Sequence, residues 1–238
     1  MLNFVIKKTA PSNQECTENV NFKNMGEFCD DILYDNKRNE GVIIGLNGPS
    51  ASGKSTIAQK MCSEFTSKNY HSIVFPLDYF LFNRINRFNL INNPDTKSRI
   101  MHYLFDSWDI TRFCSYLNEI FQAINGNEEK IIHLNNIYDR KTGLTNAQAN
   151  LFILPKSIII VEGTEAINCL TESYYDVKIK ISSSTEAIFE RLVQREYEKP
   201  IENRITQNDI IHRFNNIEKC YIEYIDNLGI KYDYEIEN

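Results

Sequence analysis

Short aliphatic runs alternate with longer amphipathic stretches over most of this chain. Runs that are apolar at nearly every position predict strands buried on both faces, which are typical of a parallel sheet covered by helices. The pattern predicts strands over residues 42–46, 71–77, 130–134, 157–161 and 177–181. Because these strands are separated by helical patterns, the sequence predicts an α/β fold with a parallel sheet.

Four amphipathic helices are predicted between and after these strands. One runs from Lys54 to about residue 67, and a second is capped by Asp109. The apolar face of the second helix comprises Ile110, Phe113, Leu117, Ile120, Phe121 and Ile124. Ser183-x-x-Glu186 and Thr206-x-x-Asp209 fit capping boxes and open the last two helices.

The first 40 residues differ from the rest. They contain one amphipathic stretch, residues 25–34, followed by a polar break before residue 41. We therefore expect residues 1–40 to form an amino-terminal extension packed on a main domain of residues 41–238. No internal repeat or low-complexity linker divides that main domain.

Composition narrows the class of protein. The 238 residues are 42% hydrophobic and 24% charged, an ordinary globular composition, with a formal net charge of −6. This acidic balance argues against general nucleic-acid binding. The longest purely aliphatic run, residues 158–161, is too short to span a membrane, and no signal-peptide pattern is present. Six scattered cysteines without ligand spacing indicate free thiols in the cytoplasm and no zinc site.

A glycine-rich loop carries the strongest chemical signal. Residues 48–55 match G-x-x-x-x-G-K-[ST], between a predicted strand and a predicted helix. In such a P-loop the backbone N–H groups bind phosphate oxygens, Lys54 reaches the β and γ phosphates, and the Ser55 hydroxyl binds Mg²⁺. The expected nucleotide-binding residues are Gly48, Ser50, Ala51, Ser52, Gly53, Lys54, Ser55 and Thr56.

Other P-loop classes lack their own motifs here. The nearest match to the N/T-K-x-D guanine motif, residues 96–99, ends in Arg99 where Asp is needed. An LSGGQ-like transporter signature is absent, and the chain is short for a helicase. The sequence therefore favours a small-molecule kinase.

Two carboxylates follow predicted strands, at the sheet edge where ligands bind in open α/β folds. Asp78 follows residues 71–77 and is the candidate general base, the alternative being a cap. Glu162 follows residues 157–161 at the Walker B position, suited to Mg²⁺ or its waters, the alternative being a surface residue. In the segment 105–109, we expect one of Asp106 and Asp109 to bind sugar or polyol hydroxyls while the other caps the next helix, the alternative being that both are caps.

Arginines mark a candidate lid. Arg191 and Arg195 are four residues apart, on one helix face, and Arg204 lies beyond a polar segment. We expect a lid over residues 195–206 whose arginines neutralise charge on a transferring phosphate, although a solvated charged face is the alternative.

Together these residues resemble the uridine kinase / phosphoribulokinase group of P-loop kinases, most closely uridine–cytidine kinases. Residues 48–56 resemble its GxSGSGKTT loop, and residues 78–80 resemble the D-S-[FY]-Y segment whose Asp is the catalytic base. Residues 105–109 resemble FDHPD, whose first Asp holds ribose hydroxyls, and residues 137–139 resemble IYD beside the nucleobase. Residues 161–163 and 191–196 resemble the Mg²⁺-associated EG strand end and the RRxxRD lid entry.

The resemblance implies a five-stranded parallel sheet with flanking helices, an arginine-bearing lid and often a small β-rich substrate flap. It implies catalytic roles for Asp78, Lys54, Arg191 and Arg195, and a metal site at Ser55 and Glu162. It implies substrate contacts from Asp106, Tyr138 and Asp139.

The acceptor motifs depart from the family. Gly143 stands at the spacing of a pyrimidine-contacting His, residues 107–108 replace His-Pro, and Leu192 replaces a lid arginine. The expected reaction is ATP- and Mg²⁺-dependent phosphorylation of a small alcohol, first a nucleoside such as uridine or cytidine. The alternatives are a sugar, polyol or pantothenate-like acceptor, a regulator without acceptor chemistry, and a macromolecular substrate docked by residues 1–40. The family resemblance is compatible with a homo-oligomer.

Overall fold

A six-stranded sheet forms the centre of the computed structural model, which describes residues 4–9, 22, 24–36, 41–91, 106–199, 201, 204–227 and 229–238. Its strands in chain order are β1 (Val5–Lys8), β2 (Val42–Asn47), β3 (Ser72–Pro76), β6 (Ile158–Gly163), β7 (Val177–Ser182) and β8 (Tyr234–Glu237). Two further strands, β4 (Lys130–Tyr138) and β5 (Thr145–Ile153), form a separate antiparallel hairpin.

The sheet order is β1-β8-β7-β2-β6-β3. Strands β8, β7, β2, β6 and β3 are mutually parallel, as the expected five-stranded sheet requires, and β1 adds an antiparallel edge. Strands β2 and β6 are buried at every position because helices cover both faces of the sheet.

Seven α-helices are found in the described part of the chain. They are α1 (Met25–Asp35), α2 (Lys54–Ser67), α3 (Arg84–Ile91), α4 (Ile110–Ile124), α5 (Thr185–Tyr197), α6 (Gln207–Arg213) and α7 (Lys219–Asp226). A π-helical turn, Phe214–Glu218, joins α6 to α7, so the predicted last helix is nearly continuous. Its predicted residue Leu228 lies outside the described residues.

Two apolar layers enclose the sheet. On one face α1 and α2 pack through Phe28, Ile32, Met61 and Phe65, all fully buried. On the other face α4 and the β4–β5 hairpin form the second core cluster. The described parts of residues 1–40 thus contact the sheet in two ways, through β1 beside β8 and through α1 beside α2.

Several local predictions need correction. Residues 130–134 belong to the hairpin and not to the parallel sheet, because β4 pairs with β5, whose polar alternation the aliphatic-run criterion missed. Helix α5 is capped by Ser184, whose Oγ accepts from Ala187 N at 3.1 Å, and not by Ser183. Phe121, which the pattern predicts on the apolar face of α4, is 42% exposed.

Other predicted details are found where expected. Helix α2 has the predicted bounds, Asp109 caps α4 by accepting from Arg112 N, and Thr206 and Asp209 form a complete capping box. The five described cysteines are free thiols, and Cys16 lies outside the described residues. No helix in the described ranges is long and apolar enough to cross a membrane.

Candidate active site

The P-loop, residues 48–55, connects β2 to the first turn of α2. Its backbone conformation depends on Gly53, which has φ +98°. An L-residue is strained at this φ, and its Cβ would also displace the side-chain amide of Asn238. The loop therefore presents its N–H groups and the amino terminus of α2 to one side, as phosphate binding requires.

Lys54 is buried at the start of α2. Its Nζ donates hydrogen bonds to the carbonyl oxygens of Gly48 at 2.9 Å and Pro49 at 2.8 Å. Burial lowers the pKa of Lys54, while the carboxylates of Glu162 and Asp78 act in the opposite direction. The ammonium group is thus held by two loop carbonyls, with the carboxylates of Glu162 and Asp78 nearby.

Ser55 and Glu162 meet beside this lysine. Because β2 and β6 are parallel neighbours, with Leu46 beside Glu162, the end of β6 is brought next to the P-loop. Ser55 Oγ donates to Glu162 Oε1 at 3.0 Å. Burial raises the pKa of Glu162, and the nearby Lys54 counteracts it. These two oxygen ligands fit a Mg²⁺ ion that is held partly by the protein and partly by nucleotide phosphates.

Asp78 faces the same cleft, which has a volume of about 310 Å³. It lies in a 3₁₀ turn, Leu77–Phe80, that directly follows β3 at the carboxyl edge of the sheet. Its carboxylate forms an ion pair with Arg140, from the turn between β4 and β5. The Asp78 side chain is 25% exposed and that of Arg140 is 67% exposed, so the pair is open to the cleft.

Only some of the predicted nucleotide-binding residues line the cleft. Ser50, Ala51, Gly53, Lys54 and Ser55 line the cleft. Gly48 and Ser52 are buried within the loop itself, and Thr56 is exposed and does not line the cleft.

Only one of the three predicted substrate-binding residues lines the cleft. Tyr138 does so, and its hydroxyl accepts from Arg87 Nη2 at 2.7 Å. Asp106 is exposed outside it, while Phe105 of the same segment lies outside the described residues. Asp139 closes the β4–β5 turn by accepting from Lys141 N at 2.9 Å and Thr142 Oγ1 at 3.0 Å, which lowers its pKa.

The predicted lid arginines point to different places. Arg195 lines the cleft, where burial and, to a smaller extent, Arg140 lower its pKa. Arg191 does not line it, because its guanidinium donates to Ala51 O, Ser183 Oγ and Asn238 O at 3.0–3.3 Å. Arg204 donates to the carbonyl oxygens of Tyr197 and Lys199 at the end of α5. Residues 200, 202 and 203 of the predicted lid lie outside the described residues.

Sequence reasoning missed four arginines that line the cleft, one of which is Arg213 at the end of α6, paired with Glu218. Arg84 and Arg87 lie on α3, and Arg140 lies in the β4–β5 turn, residues 139–144. We call α3 and this turn the hairpin wall. The available signals were the i, i+3 spacing of Arg84 and Arg87 shortly after Asp78, and the position of Arg140 two residues after Tyr138.

A parallel sheet with a P-loop, a strand-end Glu beside its Ser and a second strand-end carboxylate in the same cleft defines a P-loop kinase. The model of the phosphoribulokinase / uridine kinase family matches residues 43–234, and the chain belongs to this family.

Solved structures share this fold. A structure described as a possible uridine kinase from Bacillus stearothermophilus has a TM-score of 0.60 at 16% identity, covering 88% of this chain and 97% of its own. D-glycerate 3-kinase from Cryptococcus neoformans has a TM-score of 0.60 at 12% identity, covering 87% of this chain and 89% of its own. At such identities the likeness shows the fold alone.

One curated relative is an uncharacterized kinase, mug58, from Schizosaccharomyces pombe. It is 32% identical over 91 residues, which are 37% of this chain and 31% of that protein. The match thus spans about a third of the relative's length. Family membership supports a phosphotransferase that uses a nucleotide and a divalent metal and acts on a small metabolite.

Proposed function

We propose that this protein transfers the γ-phosphoryl group of ATP to a hydroxyl group of a small metabolite, with Mg²⁺ as cofactor. The observation that carries the proposal is that Asp78 lines the same cleft as Lys54 and the Ser55–Glu162 pair. A phosphate-binding loop and a carboxylate able to accept a proton thus face one space, as a direct transfer between two bound substrates requires.

The residues divide the chemistry between them. The P-loop N–H groups and Lys54 bind the β and γ phosphates, and Arg195 faces the transferring group. Ser55 and Glu162 would hold Mg²⁺, which when bound would offset phosphate charge. Asp78 accepts the proton of the acceptor hydroxyl while the hydroxyl oxygen forms its bond to the γ phosphorus. The bond from the γ phosphorus to the β,γ-bridging oxygen breaks, and ADP leaves.

Asp78 must be able to meet the acceptor. Its ion pair with Arg140 places a charged donor beside the base, and the carboxylate raises the pKa of Arg140. Because the Arg140 side chain is largely exposed, it can move with a bound acceptor at small packing cost. We infer that the hydroxyl approaches Asp78 from this open side of the cleft.

The proposed reaction is compatible with several classes of acceptor. A nucleoside such as uridine or cytidine follows from the sequence resemblance, with Tyr138 as its one predicted contact that lines the cleft. Sugar, polyol and pantothenate-like acceptors fit the same reaction. A nucleotide-binding regulator would instead bind ATP without transferring phosphate to any acceptor.

Asp78→Asn tests the proposed mechanism. We expect kcat to fall about 10²–10⁴-fold, because the amide cannot accept the proton. ATP affinity should stay within about 3-fold, since Asp78 lies outside the P-loop. ADP release and ATP binding measured on the same preparations separate the two effects, and the Lys54→Ala variant provides the blank.

Asp30→Asn is the matched control. Asp30 is exposed on α1 and pairs with Lys68, and the substitution makes the same chemical change away from the cleft. Full activity of Asp78→Asn would contradict the assignment of the base. ATP binding by the wild type without ADP release in any acceptor mixture would favour the regulator.

A further inference from the structure

We infer that the acceptor carries an anionic group, a carboxylate or a phosphate ester, in addition to the hydroxyl that is phosphorylated. This inference rests on the proposed function and concerns the hairpin wall of the same cleft. Its basis is the way in which Arg84 and Arg87 are held.

Arg87 is fixed by neutral partners. Its Nε donates to Phe82 O at 2.9 Å and its Nη2 donates to the Tyr138 hydroxyl at 2.7 Å. The guanidinium carbon lies 4.8 Å from the centre of the Tyr138 ring. These contacts hold the planar group in place, and no carboxylate in the described part of the chain pairs with it. A guanidinium fork matches carboxylate and phosphate geometry.

Arg84 is fixed by the β4–β5 turn. Its backbone N–H donates to Gly143 O at 2.9 Å and its Nη2 donates to Arg140 O at 2.8 Å. Gly143 has φ +79°, and a Cβ there would lie 2.9 Å from Arg84 Nε. Because Gly143 has no side chain, Arg84 can pack directly against the turn at this position.

The side chains that line the cleft carry more positive than negative charge, and the excess includes the two arginines of this wall. Among the described residues, seven Lys or Arg side chains line the cleft against three carboxylates, those of Asp78, Glu162 and Glu196. Arg140 pairs with Asp78, Lys199 pairs with Glu196, and Arg213 pairs with Glu218, which does not line the cleft. No described carboxylate is within ion-pair distance of Arg84 or Arg87.

The nucleotide phosphates account for the other half of this charge. Lys54 belongs to the P-loop and Arg195 belongs to α5, on the side of the cleft where γ-phosphate charge develops. Arg84 and Arg87 come from a different wall, with Tyr138 and the Asp78–Arg140 pair. An anion bound by these two arginines places the rest of the acceptor next to Asp78, whereas a neutral nucleoside leaves both charges uncompensated.

Matched acceptors that differ only in the anionic group test this inference. The panel is glycerol, D-glycerate and glycerol 3-phosphate, then ribose and ribose 5-phosphate, with uridine and cytidine as neutral nucleosides. Binding is measured by calorimetry with Mg²⁺ and a non-hydrolysable ATP analogue, and turnover is measured by ADP release from Mg-ATP. We expect at least one acid to bind about 10- to 100-fold more tightly than its neutral partner.

The two arginines provide the variants. Arg84→Gln and Arg87→Gln should each weaken binding of the acid about 10-fold or more and leave the neutral partner nearly unchanged. Arg112→Gln is the matched control, because Arg112 lies outside the cleft and donates to carbonyls of Asn135 and Asn136. The glycerate and phosphate arms distinguish the two kinds of anion.

The outcomes separate the inference from the proposed function. Equal binding of acid and neutral partner, no binding of any acid, or equal losses in Arg87→Gln and Arg112→Gln would overturn the inference. Arginine-dependent binding of an acid without ADP release would support the inference and refute the kinase reaction for that acid. ADP release with uridine alone would support the reaction and refute the anionic acceptor.

Discussion

The two halves of the cleft are built in different ways. The nucleotide half is made of one continuous segment, residues 48–55, together with the end of the neighbouring strand β6. The hairpin wall is assembled from α3 and a turn more than fifty residues further along, with Arg84 donating to Arg140 O across that separation. The first half depends on backbone geometry and the second on which side chains meet.

This difference indicates where specificity can change. A P-loop binds phosphate through N–H groups, so its function tolerates little variation in shape. The hairpin wall can exchange side chains without disturbing the parallel sheet, because β4 and β5 pair only with each other among the described strands. We therefore expect relatives of the same fold to differ most in this wall.

The largest expected effect comes from the nucleotide half. Lys54→Ala should lower kcat/KM about 10³-fold for every acceptor, because it removes a buried cation from the transferring phosphate. Lys60→Ala, on the same helix but outside the cleft, is the control and should leave kcat/KM within about 2-fold. Steady-state ADP release measures both. Comparable losses in the two variants would show damage to α2 and not loss of a phosphate contact.

The same contrast explains what the sequence could predict. The P-loop motif, the buried strands β2 and β6 and the helix α2 come from contiguous patterns, and the structure contains these elements within two residues of the predicted bounds. Asp78 and Glu162 could be predicted to share an edge because both follow parallel strands.

The hairpin wall could not be predicted in this way. Strand β5 has a mostly polar sequence, TNAQANLFI, so the aliphatic-run criterion identified no pairing partner for residues 130–134. Without that pairing, Arg140 cannot be placed beside Asp78, nor Arg84 beside Gly143. The position of Arg191 could not be predicted for the same reason. Its partner Asn238 follows the short strand β8, which the hydrophobic pattern did not predict.

A smaller effect is expected from Gly143→Ala. A Cβ at φ +79° displaces Arg84, so KM for the acceptor should rise about 10-fold while KM for ATP stays nearly constant. Stability should fall by about 1–2 kcal/mol because an L-residue is strained at this φ. Initial rates with each substrate varied, together with urea unfolding, measure these quantities.

Gly229→Ala separates strain from the loss of Arg84. Gly229 has φ +67° and no heavy atom within 4 Å of an added Cβ, so it carries the backbone cost without a displaced neighbour. If both variants lose stability but only Gly143→Ala raises KM for the acceptor, the hairpin wall determines acceptor affinity. Equal acceptor KM values in the two variants would remove Gly143 from that role.

The smallest expected effect is that of Arg191→Gln. Arg191 donates to Ala51 O of the P-loop and to Ser183 Oγ, which in turn donates to Ser52 O of the same loop. Its loss should raise KM for ATP about 3-fold with every acceptor and leave kcat nearly unchanged. The Arg112→Gln variant again controls for loss of one arginine. A fall in kcat of about 10³-fold at constant KM would instead place Arg191 on the transferring phosphate, as the sequence predicts. The split between KM and kcat thus decides whether Arg191 positions the nucleotide half or takes part in the transfer.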